Sequence, residues 1–162
     1  MNIRVENNLI EFSGYLSEKT NPEALRTAFL TAAQSTQDNT VRVDFSKVEK
    51  ANSVGILAYL KAFDSAKVRA VYERAPIWLV EQFNCIPEFF AASSTVISFY
   101  ARFFSPRTRK PQNVLLTVDK DVSRLPHYKN YSFTISDESG AALEPDFDPE
   151  LYFFFLTEKS EP

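Results

Sequence analysis

From residue 3 to residue 104, short β-type runs alternate with stretches of helical periodicity, and that alternation limits the fold more than any other property of the chain. Residues 3–5 and 9–12 are strand-like runs around Asn7-Asn8, a pair that tolerates left-handed backbone and suits a tight turn. Gly14 then releases the chain. Asn21-Pro22 predicts a helix start, with Asn as the cap and Pro at the first helical position. Leu25, Ala28, Phe29 and Ala32 recur there at the spacing of one buried face. Residues 40–45 (TVRVDF) form a β-branched, alternating run, and a loop of about seven residues follows it. The stretch VGILAYLKAF then reads as a helix with Val54, Leu57 and Leu60 turned inward and Ala58 at their margin. Residues 68–72 predict a further strand. Pro76 opens a short helix through Trp78, Leu79 and Phe83 that Pro87 limits, and 95–104 (TVISFYARFF) is the strongest strand signal of all. Repetition on this scale predicts an α/β layer in which helices cover a sheet.

The remainder differs in kind. Residues 105–162 hold most of the prolines and two further β-like runs, 113–118 and 131–135, with the only histidine, His127, in a polar loop between them. The aromatic run 150–156 (ELYFFFL) is too apolar to be left in water, and is expected to pack back on the body as helix or strand. We therefore expect a domain over 1–104 and a small β-rich extension over 105–162, too small to hold a core alone.

Composition excludes several classes. With 44% hydrophobic residues the chain has the apolar mass that disordered proteins lack. A net charge of −3 argues against a nucleic-acid-coating protein, although local basic patches stay possible. One Cys and one His exclude an intrachain disulfide, a Cys-rich metal cluster and a histidine zinc site, and three Gly argue against a phosphate-cradling loop. No cofactor and no metal are expected. The start MNIRVENN has no basic-then-apolar leader, and the apolar runs fall well short of the ~18 residues that span a bilayer. The expectation is a soluble cytoplasmic protein with no membrane partner and no nucleic-acid partner.

Chemistry concentrates in Asp44-Phe-Ser46-Lys-Val-Glu-Lys-Ala-Asn52-Ser53-Val54-Gly55, a strand, a loop and a helix start. A serine there has two readings. It is a helix cap, worth about 1 kcal/mol, or it is a phosphoacceptor, whose phosphate would meet free N–H groups and the positive end of the helix dipole. Phosphate would also place roughly two negative charges on a neutral surface. Residues 46–53 and the first turn of the helix would then form a docking face centred on Val54 and Leu57.

Asp44-x-Ser46, then Asn52-Ser53-x-Gly55, then an amphipathic helix, resembles the core motif of the STAS domain, the fold of the bacterial anti-sigma factor antagonists. The resemblance runs from Ile3 to Phe104 and takes in the opening hairpin, the Asn21-Pro22 helix and the apolar segment from Trp78 to Phe90. It implies a β-sheet with helices packed on one side, and a non-enzymatic role. Such a domain docks onto a kinase-type anti-sigma factor or another signalling regulator, and phosphorylation switches the docking. Ser53 aligns with the family's phosphoacceptor, and Asp44 with a recurrent acidic residue near the binding face. The implied partner-binding set is Asp44, Ser46, Asn52, Ser53, Val54, Gly55 and Leu57. Asn52 departs from the family, which usually has Asp there; the change keeps the capping geometry and removes a charge that a kinase could read.

The tail carries a second resemblance, to a zinc-ribbon extension that has lost its cysteines. Ser105 and Thr108 occupy the place of one Cys-x-x-Cys knuckle, Ser136 and Ser139 before Gly140 that of the other. Hydroxyls cannot replace thiolates around zinc, so the resemblance implies a metal-free appendage. An unrelated hairpin is the other reading. Arg102, Arg107, Arg109 and Lys110, interleaved with Phe103 and Phe104, suit either a solvated loop or a nucleic-acid contact. Cys85 reads as a small core residue and His127 as an idle surface residue. Asp146, Asp148 and Glu150 lack the glycine and distal glutamate of a calcium loop and suit a helix start. No motif ties the single His to a nucleophile, so no enzyme is expected. The leading function is a regulatory protein-binding module switched at Ser53; the alternative is a scaffold using the same fold without phosphorylation.

Overall fold

A computed structural model describes residues 1–122 and 135–156. The chain starts as a hairpin of β1 (Asn2–Glu6) and β2 (Leu9–Leu16), turning at Asn7 in the left-handed region, φ +54°. Helix α1 (Pro22–Ala33) begins as expected: the Asn21 side chain accepts from the N–H of Glu23 at 2.9 Å and of Ala24 at 3.3 Å, and Leu25, Ala28, Phe29 and Ala32 are buried. There follow β3 (Thr40–Ala51), α2 (Ser53–Ala66), β4 (Arg69–Glu73), α3 (Ile77–Cys85), a 3₁₀ segment (Pro87–Ser93) and β5 (Thr95–Val96). The sheet order is β1-β2-β3-β4-β5, with β1 antiparallel to β2 and the other pairs parallel.

This is the α/β layer the alternation predicts, with helices on one side of the sheet. Phe12, Phe45 and Tyr72 point from the strands into a core closed by Phe29 of α1, Tyr59 of α2 and Phe89 of the 3₁₀ segment. The opposite face is charged. Glu11 pairs there with Arg4 at 3.6 Å and Lys47 at 3.2 Å, Arg42 with Glu73 at 2.6 Å, and Arg74 with Asp44.

Cys85, expected as a small core residue, is exposed at the end of α3, and three further expectations need correction. The loop expected after residue 45 is strand: β3 runs on to Ala51, pairing with β2 through two register shifts that each insert one extra β3 residue. Such bulges bend the strand and increase its local twist. The segment 95–104 is two strands. Ile97 separates β5, in the main sheet, from β6 (Ser98–Phe104), which sits between β7 (Pro111–Thr117) and β8 (Glu144–Pro145) in a second, antiparallel sheet. The expected boundary between 104 and 105 therefore cuts through that second sheet rather than between two units. The third concerns α2, whose buried positions are Gly55, Ile56, Tyr59, Ala62, Phe63 and Ala66. Val54 and Leu57, expected inward, are 53% and 51% exposed.

A bridge between Ala75 and Phe99 stitches the sheets, and one hydrophobic core runs through both. The aromatic tail packs back as α4 (Pro149–Tyr152) and a 3₁₀ turn (Phe154–Leu156), burying Phe153, Phe155 and Leu156. Its anchor is Asn84 of α3, which donates to the Tyr152 carbonyl at 3.2 Å and accepts from the Phe155 N–H at 2.8 Å. The expected strand over 131–135, apart from its last residue, and His127 lie outside the described residues.

Candidate functional site

The start of α2 is built by Asn52. Its backbone is extended, its N–H donates to the Leu16 carbonyl at 3.0 Å, and its Oδ1 accepts from the Gly55 N–H at 2.9 Å. The cap is thus Asn52, not Ser53. Ser53 is the first helical residue and is exposed. Its hydroxyl is consequently free of the capping duty that the simplest reading assigns it. The amides of Gly55 and Ile56 are both taken by Asn52, and those of Ser53 and Val54 precede them in the turn, where a helix supplies no acceptors of its own.

Gly55 is buried because α2 touches the end of β2. A Cβ there would lie 2.4 Å from the carbonyl carbon and oxygen of Leu16 and 2.5 Å from the Ser17 nitrogen. The glycine in the motif is a close-approach residue.

Asp44 and Ser46 are elsewhere. Asp44 is 1% exposed, on the sheet face opposite the helices, where it meets the Arg74 guanidinium and accepts from the Ser46 N–H at 2.7 Å. Ser46 lines a shallow groove of about 320 Å³ with Trp78 and Tyr100. The structure therefore brings Asn52, Ser53, Val54 and Leu57 together on one exposed surface. It separates Asp44 and Ser46 from them, and leaves Asp44 and Gly55 as positioning residues for the backbone.

Two contributors escaped the sequence. The first is Glu18, whose carboxylate accepts from the Asn52 amide at 2.8 Å. That hydrogen bond, with help from its own backbone and Lys19, holds the Glu18 carboxyl below the usual carboxylate range. Glu18 sits in a turn locked by the buried Ser17 and Thr20, whose Oγ1 accepts from the Ser17 N–H at 3.0 Å. The second is an apolar groove of about 360 Å³ between α2 and the 3₁₀ segment. Leu57 and Leu60 line one wall, Ile86 and Ala91 the other, with Lys61 and Glu88 at its rim. Only the helical spacing of 57, 60, 61 and 64 hinted at that outer stripe.

In the tail, the turns holding Ser105 and Ser139 do meet. The Asp137 carboxylate accepts from the Ser105 hydroxyl at 3.0 Å, from the Ser139 hydroxyl at 2.6 Å and from the N–H groups of Ser139 and Ala141 at 2.9 and 3.0 Å. The Ser139 hydroxyl leads the contacts that keep this carboxyl below its ordinary value. Among the described residues no group of three His, Cys, Asp or Glu side chains is placed to hold a metal ion, and no helix is long and apolar enough to cross a membrane.

No protein-family model matches the chain, and no curated protein matches it at a significant level. Among solved structures, the chain is similar to the anti-sigma factor antagonist SpoIIAA in its unphosphorylated form. The two share 16% identity, the match covers 59% of this chain and 86% of that one, and the TM-score is 0.38.

Proposed function

We propose that this chain is a non-enzymatic regulatory module of the anti-sigma factor antagonist type, which docks a protein partner on the outer face of α2 and is switched by phosphorylation of Ser53. One observation carries it. An exposed serine free of capping duty stands beside Val54 and Leu57, both about half exposed, and Leu57 continues into the apolar groove. Large aliphatic side chains left in water along one helix face, next to a concave apolar strip, are what a partner helix or strand buries on docking. A phosphate on Ser53 would set roughly two charges at the rim of that surface. The partner would then have to desolvate them or meet repulsion.

A second reading has its own support. Glu18 already places a carboxylate next to Asn52, so a phosphate on the adjacent Ser53 would face a like charge. That favours a scaffold that uses the same face without modification. Affinity capture from the protein's own cells with Ser53→Asp, Ser53→Ala and Leu57→Asp separates the two, together with mass spectrometry of Ser53. The switch requires that Ser53→Asp lose the partner, that Ser53→Ala keep it, and that phosphoserine be found. Equal capture by both serine variants, with loss only in Leu57→Asp, leaves the scaffold. Undiminished capture by Leu57→Asp refutes the docking face altogether.

A further inference from the structure

A cavity of about 630 Å³ opens on the second sheet, far in sequence from the α2 face. Arg102 and Phe104 of β6, Pro106 and Arg109 of the following turn, Pro111 and Asp146 line it. Its volume lies within the ~300–1,000 Å³ typical of small-ligand sites.

The two segments that meet here carry opposite charge: residues 135–150, which pair with β6 through β8, hold six acids and no base. Residues 89–118 contain four bases and no acid, so the rest of the chain carries 14 bases against 21 acids. Nor are the two arginines in the wall fully engaged. Arg102 Nε is 4.0 Å from Asp146 Oδ2, at the outer limit of an ion pair. The Arg109 side chain has no hydrogen-bond or ion-pair partner among the described residues.

The backbone that presents Arg109 is held under strain. Its φ is +54°, a region that residues with a Cβ enter rarely unless their surroundings impose it. Here the surroundings do. The Arg109 N–H donates to the Ser105 carbonyl at 2.7 Å, and the wholly buried Ser105 is pinned in turn by its hydroxyl bond to Asp137 at 3.0 Å. The clasp of the two turns thus fixes the backbone of Arg109 at the cavity wall, which also takes Arg102 from β6.

Guanidinium groups offer planar donor forks that fit phosphate or carboxylate oxygens. Phe104, Pro106 and Pro111 give the lining apolar surface as well, which an inorganic ion would leave unused. We infer that this cavity binds a small aryl anion, its phosphate or carboxylate held by Arg109 and Arg102 and its ring lying on Phe104. Asp146 is the resting counter-ion of Arg102, displaced when the ligand's anion arrives.

Calorimetric titration of the full chain with phenyl phosphate, at low ionic strength, tests the assignment, with inorganic phosphate and phenol as separate arms. Phenyl phosphate should bind about tenfold or more tightly than either fragment. Arg109→Gln, an exposed change that leaves the core untouched, should weaken it about tenfold, and Phe104→Leu about threefold. Asp146→Asn should tighten it, a gain that no purely structural role would produce. An unchanged affinity in Arg109→Gln, equal binding of inorganic phosphate, weaker binding in Asp146→Asn, or no binding of phenyl phosphate at all would overturn the inference. Much tighter binding of a short oligothymidylate, abolished by the same Arg109 variant, would replace the small ligand with a nucleic-acid strand.

Discussion

Glu18 and Asn52, 34 residues apart in sequence, are joined by a 2.8 Å hydrogen bond, and the same Asn52 side chain caps α2 through the Gly55 N–H at 2.9 Å. One amide therefore ties the connector after β2 to the helix that carries Ser53. The two ends of that amide do different work, and substitution can separate them.

Asn52→Ala removes both bonds and should cost about 1 kcal/mol through the lost cap. Asn52→Asp keeps an acceptor for Gly55 and suits the helix dipole, but it sets a carboxylate against Glu18. It should be destabilising above pH 5 or so and recover in the double variant with Glu18→Gln. In the wild type the depressed Glu18 carboxyl contributes stability that is present above the ordinary carboxylate range and is lost as pH falls through its lowered value. Asn52→Ala should flatten that acid limb. Urea denaturation of the four proteins across pH reads both effects.

Gly55 and Gly140 are glycines for different reasons, and alanine distinguishes them. At Gly55 the new Cβ would meet backbone atoms of Leu16 at 2.4 Å, which can yield only if α2 moves off β2 and the bond from Asn52 to Leu16 breaks. The cost should approach about 3 kcal/mol, the upper part of the overpacking range. At Gly140 nothing lies within 4 Å, but φ is +79°, so Gly140→Ala should cost about 1 kcal/mol of backbone strain alone. Urea midpoints at constant m-value would show the ratio, and equal costs would refute the close-approach account.

How much of this the sequence held depends on the range of the forces involved. Helix α1 was legible because Asn21 and Pro22 act within one turn of each other. The inner face of α2 was not, because Val54, Ile56, Leu57, Tyr59, Leu60 and Phe63 are apolar nearly all round, so periodicity alone selects no side. Contact between Gly55 and Leu16 selects it. Lys47, Glu49 and Lys50 disguised the second half of β3 as a loop, since the signal of a parallel strand is a long apolar run. In the candidate site, Ser53 and its exposed neighbours follow from the helix start. Glu18 does not, because nothing local marks a carboxylate that reaches its partner across α1 and β3.

Tyr59 and Tyr72 make a buried polar chain: Tyr59 Oη donates to Tyr72 Oη at 3.3 Å, which donates to the Phe89 carbonyl at 3.1 Å. Tyr72→Phe strands both the Tyr59 hydroxyl and the Phe89 carbonyl and should cost about 1–3 kcal/mol, whereas Tyr59→Phe removes only the outer donor and should cost about 0.5–1.5 kcal/mol. Burial pushes both hydroxyls up. Their contribution is complete below the unfolded tyrosine value of about 10 and is lost as pH rises towards the raised folded values. Wild-type stability should therefore fall steeply above about pH 10, and each Phe variant should soften the fall. Thermal unfolding at alkaline pH measures it.

Asn84 tests whether the tail is a brace or an integral part of the core. Asn84→Ala removes the partners of the Tyr152 carbonyl and the Phe155 N–H at once, leaving two part-buried backbone groups unpaired at a cost of about 1–3 kcal/mol. The Tyr152 hydroxyl would still donate to the Tyr100 carbonyl at 2.7 Å. Phe153, Phe155 and Leu156 would still favour burial, so the segment should open and reclose rather than detach. In a brace, opening is sub-global: amide exchange at Phe155 and Leu156 speeds up in Asn84→Ala while the amides of β2, β3 and β4 keep their protection. Asn84→Asp, which retains the acceptor for Phe155 but loses the donor to Tyr152, should fall between the two. Uniform loss of protection across the β2–β4 amides would instead mean that the tail and the first sheet unfold as one cooperative unit, because Phe155 packs on Phe83 and Phe99 at 5.8 and 5.1 Å and its release would open the core both sheets share.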